Sequence, residues 1–202
     1  ILTNLTHRGA TGYDPKLGDG AGILLQLPDS FFRAEAKKLN INLPDEGYFG
    51  IGMLFLPQSE KNRKQCETIV SQIIKEEGQE ELGWRDVPVN NKDIADAAKH
   101  VEPITRQVFI GRAAEVYSQD AFERKLFVIR KRAENAVAAL DFKDPVKFYI
   151  NSMSSRTIVY KGMLLACEVG NYYQDLLQES MISALALVHQ RFSTNTFPAW
   201  DL

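Results

Sequence analysis

Short, nearly continuous apolar runs alternate along the chain with longer stretches in which apolar positions return every three or four residues. These are the patterns of buried strands and of amphipathic helices. Residues 21–27 (AGILLQL), closed by Pro28, predict a buried strand. Asp29 and Ser30 then offer N-cap oxygens to a helix over 31–39. Residues 48–56 (YFGIGMLFL) predict a second strand. Gly50 and Gly52 lie two apart on it and share one face, where another layer or a ligand can approach closely. Within 59–77, Cys66, Ile69, Val70, Ile73 and Ile74 form one apolar stripe, which predicts a helix.

The remaining elements follow the same logic. Strands are predicted over 82–89, 106–111, 147–153, 157–160 and 183–190, and a short helix over 92–99. The longest helix covers 120–139, with Phe122, Leu126, Ile129 and Ala133 on one side, and 167–177 is helical or irregular. The strands are short, and several neighbours suit antiparallel pairing. With no internal repeat and no linker, one large domain of mixed strands and helices is expected.

Composition narrows the function. The 202 residues carry 24 Lys+Arg against 26 Asp+Glu, a formal net charge of −2, which excludes binding to nucleic acid by bulk basicity. The longest uncharged stretch, 47–59, is too short for a membrane span. Two cysteines, Cys66 and Cys167, make no disulfide framework and suit a reduced compartment. His7, His100 and His189 stand apart, so no zinc-ligand spacing arises. The glycines of Gly18-Asp19-Gly20-Ala21-Gly22 precede a strand, whereas a phosphate-binding loop needs strand, then glycines, then helix.

Three segments could carry chemistry. Thr6-His7-Arg8-Gly9-Ala10 reads as a helix end closed by a left-handed Gly9, or as a turn that holds Arg8 in a site. His189-Gln190-Arg191-Phe192-Ser193-Thr194-Asn195-Thr196 places an arginine and hydroxyls at the mouth of a strand, which suits either an anion cradle or a polar loop satisfying its own backbone. Residues 152–157 (SMSSRT) read as a tight turn, since no base lies near the serines in sequence.

These segments resemble one family. Leu5–Ala10 with Gly18–Ile23, then 148–164 (FYINSMSSRTIVYKGML), then 183–200 (SALALVHQRFSTNTFPAW), are similar in order and spacing to the class II glutamine amidotransferase domain of glutamate synthase large subunits. The resemblance implies the α+β N-terminal-nucleophile hydrolase fold, a four-layer αββα sandwich. It also implies a chemistry: an N-terminal cysteine attacks the side-chain amide of L-glutamine, its own α-amino group serves as base, and an Asn-Gly pair forms the oxyanion hole. Ammonia leaves, the thioester is hydrolysed to glutamate, and in the full enzyme ammonia reaches a flavin-bearing domain, where it meets 2-oxoglutarate. By resemblance, Arg191 binds the glutamine α-carboxylate with Thr194 as hydroxyl partner and Ser193 as a weaker one, while Arg8 and Gly9 support the cysteine end of the site. His189 then has no catalytic task.

Further expectations come with the resemblance. FMN and an iron–sulfur cluster belong to the full-length enzyme and none to this segment. Partners are L-glutamine, the synthase domains of the same polypeptide, and a small subunit or ferredoxin; the compartment is bacterial cytoplasm or plastid stroma. Family members open on Cys-Gly well before the His-Arg-Gly element, and their oxyanion segment follows the Arg-Phe-Ser-Thr element. Only six residues precede His7 here, and Leu202 follows Thr194 closely. The expectation is therefore a partial domain, truncated at both ends, which keeps part of the carboxylate pocket, lacks nucleophile and oxyanion hole, is inactive alone, and exposes sheet edges that limit its solubility. The alternative is a non-catalytic glutamine-binding or regulatory module derived from the same family.

Overall fold

The computed structural model describes residues 2–9, 14–190 and 199–201, with the side chains of Thr3, Thr6 and Arg8 outside that description. After a 3₁₀ turn over Leu2–Arg8, the elements run β1 (Ala21–Gln26), α1 (Asp29–Lys38), β2 (Phe49–Leu56), α2 (Glu60–Glu76), β3 (Glu80–Asp86), α3 (Asp96–His100), β4 (Ile104–Gly111), α4 (Gln119–Ala138), β5 (Tyr149–Ser154), β6 (Thr157–Gly162), α5 (Val169–Tyr172) and β7 (Ala186–His189). They form two antiparallel sheets, ordered β6-β1-β7 and β3-β4-β2-β5.

Strand β2 organises the core because both of its faces are buried. Phe49, Ile51, Met53 and Phe55 point toward the other sheet and meet Ala21, Leu25, Ile158 and Tyr160. Each such side chain contributes about 1.5–3 kcal/mol. Leu54 and Leu56 point the other way, toward Cys66, Val70, Ile73 and Ile74 of α2 and Phe122, Leu126, Ile129, Ala133 and Val137 of α4. The glycine face of β2 serves that second layer: a Cβ on Gly50 would stand 2.7 Å from Leu126 Cδ1. What approaches closely there is a helix.

The helices start and stop for local reasons. Ser118 caps α4, its Oγ accepting from the Ala121 N–H at 3.1 Å. Helix α2 ends where Gly78 takes a φ of +72°. The N-cap of α1 is Pro28, so neither Asp29 nor Ser30 caps it. Asp29 Oδ2 instead accepts from Arg33 Nε one turn on, and Ser30 Oγ donates to the Ser180 carbonyl. Strand β3 begins two residues earlier than expected and ends before Val87. Its register shifts between Glu81 and Gly83, whose φ of +151° only glycine adopts easily.

The strands β5 and β6 follow one another across Ser155 and Arg156 yet lie in different sheets. That turn is gripped by Glu123 of α4, which accepts from Ser154 Oγ, the Ser155 N–H and Ser155 Oγ at 2.9, 2.6 and 2.7 Å. The serines are thus spent on a turn. On the outer face of the three-stranded sheet, Val159, Leu24 and Leu187 stand in one cross-strand row, with Leu187 exposed.

Candidate active site

Two of the three segments singled out in the sequence, those around Gly9 and His189, meet at one end of the three-stranded sheet, whereas 152–157 lies at the other end, where Thr157 pairs with Gln26. Gly22 of β1 pairs with Lys161 on β6 and with His189 on β7. The 3₁₀ turn closes at Gly9 without a left-handed backbone, contrary to the sequence expectation. The contact there is close: a Cβ on Gly9 would fall 2.3 Å from Gln190 Nε2, and the Gln190 side chain would have to move. The His-Arg-Gly element therefore packs against the residue that immediately precedes Arg191. Gly18 is packed closely too, since a Cβ there would meet the Leu164 carbonyl oxygen at 2.5 Å. Gly18 and Gly22 are thus used for close packing against β6 and the chain that follows it, and Gly20 for its left-handed backbone, φ +106°.

The 148–164 segment reaches the same end only at its close, through Gly162, the last residue of β6, paired with Ala21. Trp200 is part of the core and only 4% exposed. Its ring stands 5.6 Å from Phe55, nearly perpendicular, and 5.6 Å from Tyr172, while Nε1 donates to the Ala98 carbonyl at 3.1 Å. Of the expected site residues, Gly9 is placed here and Arg8 by its backbone only. Arg191, Ser193 and Thr194 lie outside the described residues.

Electrostatics at this end centre on Lys161. Burial lowers its pKa to about 8; Asp201 opposes that shift and Arg130 adds to it. Its Nζ lies 4.2 Å from the centre of the Tyr149 ring. Burial also raises the Glu168 carboxyl, although the Leu165 N–H donates to it at 2.9 Å. Deeper in the sandwich is a network that sequence reasoning missed. Arg85 donates to both carboxylate oxygens of Asp175, at 2.8 and 2.7 Å, to Gln107 Oε1 at 3.0 Å, and to Glu35 at 2.8 Å. Tyr160 donates to Asp175 Oδ2 at 3.0 Å. Burial, then the neighbouring Asp175, raises the Tyr160 phenol well above its ordinary range and keeps it neutral.

Cys66 does not have the surroundings of an activated thiol. Cys66 lies inside α2's buried stripe, where burial pushes it up to about 12, and Cys167 is exposed. An iron–sulfur cluster does not fit either, because it takes more thiolates than the two present. Among the described residues no group of three acidic, His or Cys side chains is placed to hold a metal, and no helix is long and apolar enough to cross a membrane. A cavity of about 540 Å³ exists at the opposite end of β1, lined by Gln26, Glu46, Gln119, Arg156 and Leu185. Ser155 and Thr157 of the 152–157 segment line it with Arg156, but the His-Arg-Gly element does not reach it.

The chain belongs to the class II glutamine amidotransferases: the family model of that description matches residues 1–202. The two facing antiparallel sheets are those of that family's N-terminal-nucleophile hydrolase sandwich. Among its relatives is the large chain of the NADPH glutamate synthase of Bacillus subtilis (strain 168), 50% identical over 201 residues that take in 100% of this chain and 13% of that protein. The chloroplastic ferredoxin-dependent glutamate synthase 2 of Arabidopsis thaliana is 41% identical over 198 residues, 98% of this chain and 12% of the relative. The NADH glutamate synthase of Schizosaccharomyces pombe is 38% identical over 208 residues, 100% of this chain and 10% of the relative. The chain thus spans 10–13% of the length of these relatives.

Proposed function

We propose that these residues form part of the glutaminase domain of a glutamate synthase, which hydrolyses L-glutamine to glutamate and supplies the ammonia to 2-oxoglutarate elsewhere in the full enzyme. The observation that carries this reading is the packing of Gly9 against Gln190, which sets the His-Arg-Gly element beside the start of the Arg-Phe-Ser-Thr element. In this reading Arg191 grips the α-carboxylate of glutamine with two parallel N–H···O bonds. Thr194 and, more weakly, Ser193 complete the cradle, and Arg8 and Gly9 support the thiol end. Similarity to synthases at up to 50% identity favours glutamate synthase over an amidotransferase serving another acceptor.

In this reading neither Cys66 nor Cys167 is the nucleophile. The mechanism needs a cysteine whose own α-amino group is free, and the amines of Cys66 and Cys167 are both tied up in peptide bonds. Buried Cys66 is further disqualified by its high pKa. The 202-residue chain alone therefore releases no glutamate from glutamine. The flavin and iron–sulfur chemistry of a full synthase, and its ferredoxin or small-subunit contacts, belong to other parts of the polypeptide.

The test is glutamate release from glutamine by the full-length enzyme and by the isolated chain. The full-length enzyme is expected to be active and sensitive to thiol alkylation, and Arg191→Glu to abolish saturable glutamine use. Alkylation-sensitive activity in the isolated chain, or an Arg191→Glu variant with wild-type KM, overturns the reading. A non-catalytic binding module is what remains if the full-length protein binds glutamine but never hydrolyses it.

A further inference from the structure

We propose that the outer side of α4, together with Tyr117 just before it, is a docking surface for another part of the same polypeptide, one that presents an apolar side chain between a carboxylate and a base. The inference rests on the reading of this chain as the glutaminase domain of a synthase. The matched residues make up only 10–13% of the relatives' length, so in that reading most of the polypeptide lies outside this domain and packs beside it.

Helix α4 packs inward through Phe122, Leu126, Ile129, Ala133 and Val137, all buried. A surface helix with one such stripe carries polar residues on its other side. Here the other side holds a second apolar set: Tyr117 is 86% exposed, Phe127 63% and Val128 39%. Ala121, Arg124 and Val128 follow at intervals of three and four and share that side. With Val116 and Tyr117 they line a groove of about 350 Å³. Aromatic rings beside an arginine are the composition enriched at protein interfaces.

The charges define what fits. Of the five basic residues on α4, four are ion-paired within the domain. Lys125 meets Glu77 at 3.0 Å, Arg130 and Lys131 meet Glu134 at 2.9 and 2.6 Å, and Arg132 meets Glu77 at 2.7 Å and also Glu76. Among the described residues Arg124 has no ion pair, and neither has Glu115, which lines the same groove. The complementary surface therefore supplies a carboxylate for Arg124 and a cation for Glu115 around its apolar anchor. Two copies meeting through this face would oppose two helices that each carry five basic and three acidic residues, which disfavours a self-pair.

Hydroxyl-radical footprinting of the full-length enzyme, read by mass spectrometry, compares the oxidation rate of each ring with that of the free amino acid. Tyr117 and Phe127 are expected to react at least about tenfold more slowly than the free amino acids, as rings in a desolvated interface do. Arg124→Glu sets a like charge against the partner's carboxylate and should speed both by about fivefold or more, while Arg124→Lys keeps the protection to within about twofold. Wild-type rates within about threefold of the free amino acids overturn the proposal, as does protection that Arg124→Glu leaves unchanged. Protection lost on dilution to the monomer, followed by sedimentation, overturns it too, because the occupant is then a second copy. If Arg124→Glu fails to fold, the wild-type rates and their dilution series decide alone. Glutamate release from glutamine is measured on the same wild-type sample. No release overturns the functional reading and this inference with it; release with both rings freely oxidised overturns this inference only.

Discussion

Removing Asp175 should be a damaging change in the interior. Its side chain is 2% exposed, that of its partner Arg85 is 5% exposed, and two hydrogen bonds of 2.8 and 2.7 Å join them. Asp175→Ala would leave a buried guanidinium short of its main counter-charge and deprive the Tyr160 hydroxyl of its acceptor. Breaking one half of such a pair costs about 3–5 kcal/mol. Glu35 still holds Arg85 at 2.8 Å, so the lower end of that range applies. For a domain of this size about 3 kcal/mol lowers Tm by about 6–12 °C. The apolar replacement Arg85→Met/Asp175→Leu removes both charges and should cost less than Asp175→Ala alone. Urea unfolding followed by circular dichroism measures all three proteins. A loss below about 1 kcal/mol for Asp175→Ala, or a double variant worse than the single, would refute the argument that an uncompensated buried charge sets the cost.

Two further expectations concern titrating groups. At pH 8 a thiol reagent should label exposed Cys167 quickly and buried Cys66 at least about a hundredfold more slowly until denaturant is added, because Cys66 is pushed up to about 12; equal rates would contradict its burial. Lys161 sits at about 8 when folded and near 10.4 when unfolded, so across that interval the unfolded chain binds more protons and stability rises with pH. Lys161→Met should abolish that rise and add about 1–2 kcal/mol at pH 7, after discounting for partial solvent access. An unchanged pH slope in the variant speaks against the assignment.

The sequence is a good guide where burial is one-sided or continuous. Helices α2 and α4 carry a single apolar stripe each, and β2 is an unbroken apolar run, so their positions follow from periodicity. It is a poor guide where backbone geometry decides: the β3 bulge at Gly83 and the capping of α1 by Pro28 leave little trace in residue type. The Arg85–Asp175 pair was invisible because 90 residues separate its members and each looks like a surface charge. Gly9 and Gly162 were recognisable as parts of motifs, but the contacts they make, with Gln190 and Trp200, exist only in three dimensions. The hydroxyls and guanidinium of 191–194 were picked out by chemistry and fall outside the described residues.

The β5–β6 corner has a mechanical consequence. The two sheets are stitched together by Ser155 and Arg156, and Glu123 clamps that stitch to the helical layer. Sliding one sheet over the other would stretch this short link, so relative motion reduces to a pivot about it. The end of β1 and β7 where Gly22 pairs with His189 lies farthest along the strands from the pivot. Any angular play between the sheets is therefore largest there, like the free edge of a book held at its spine.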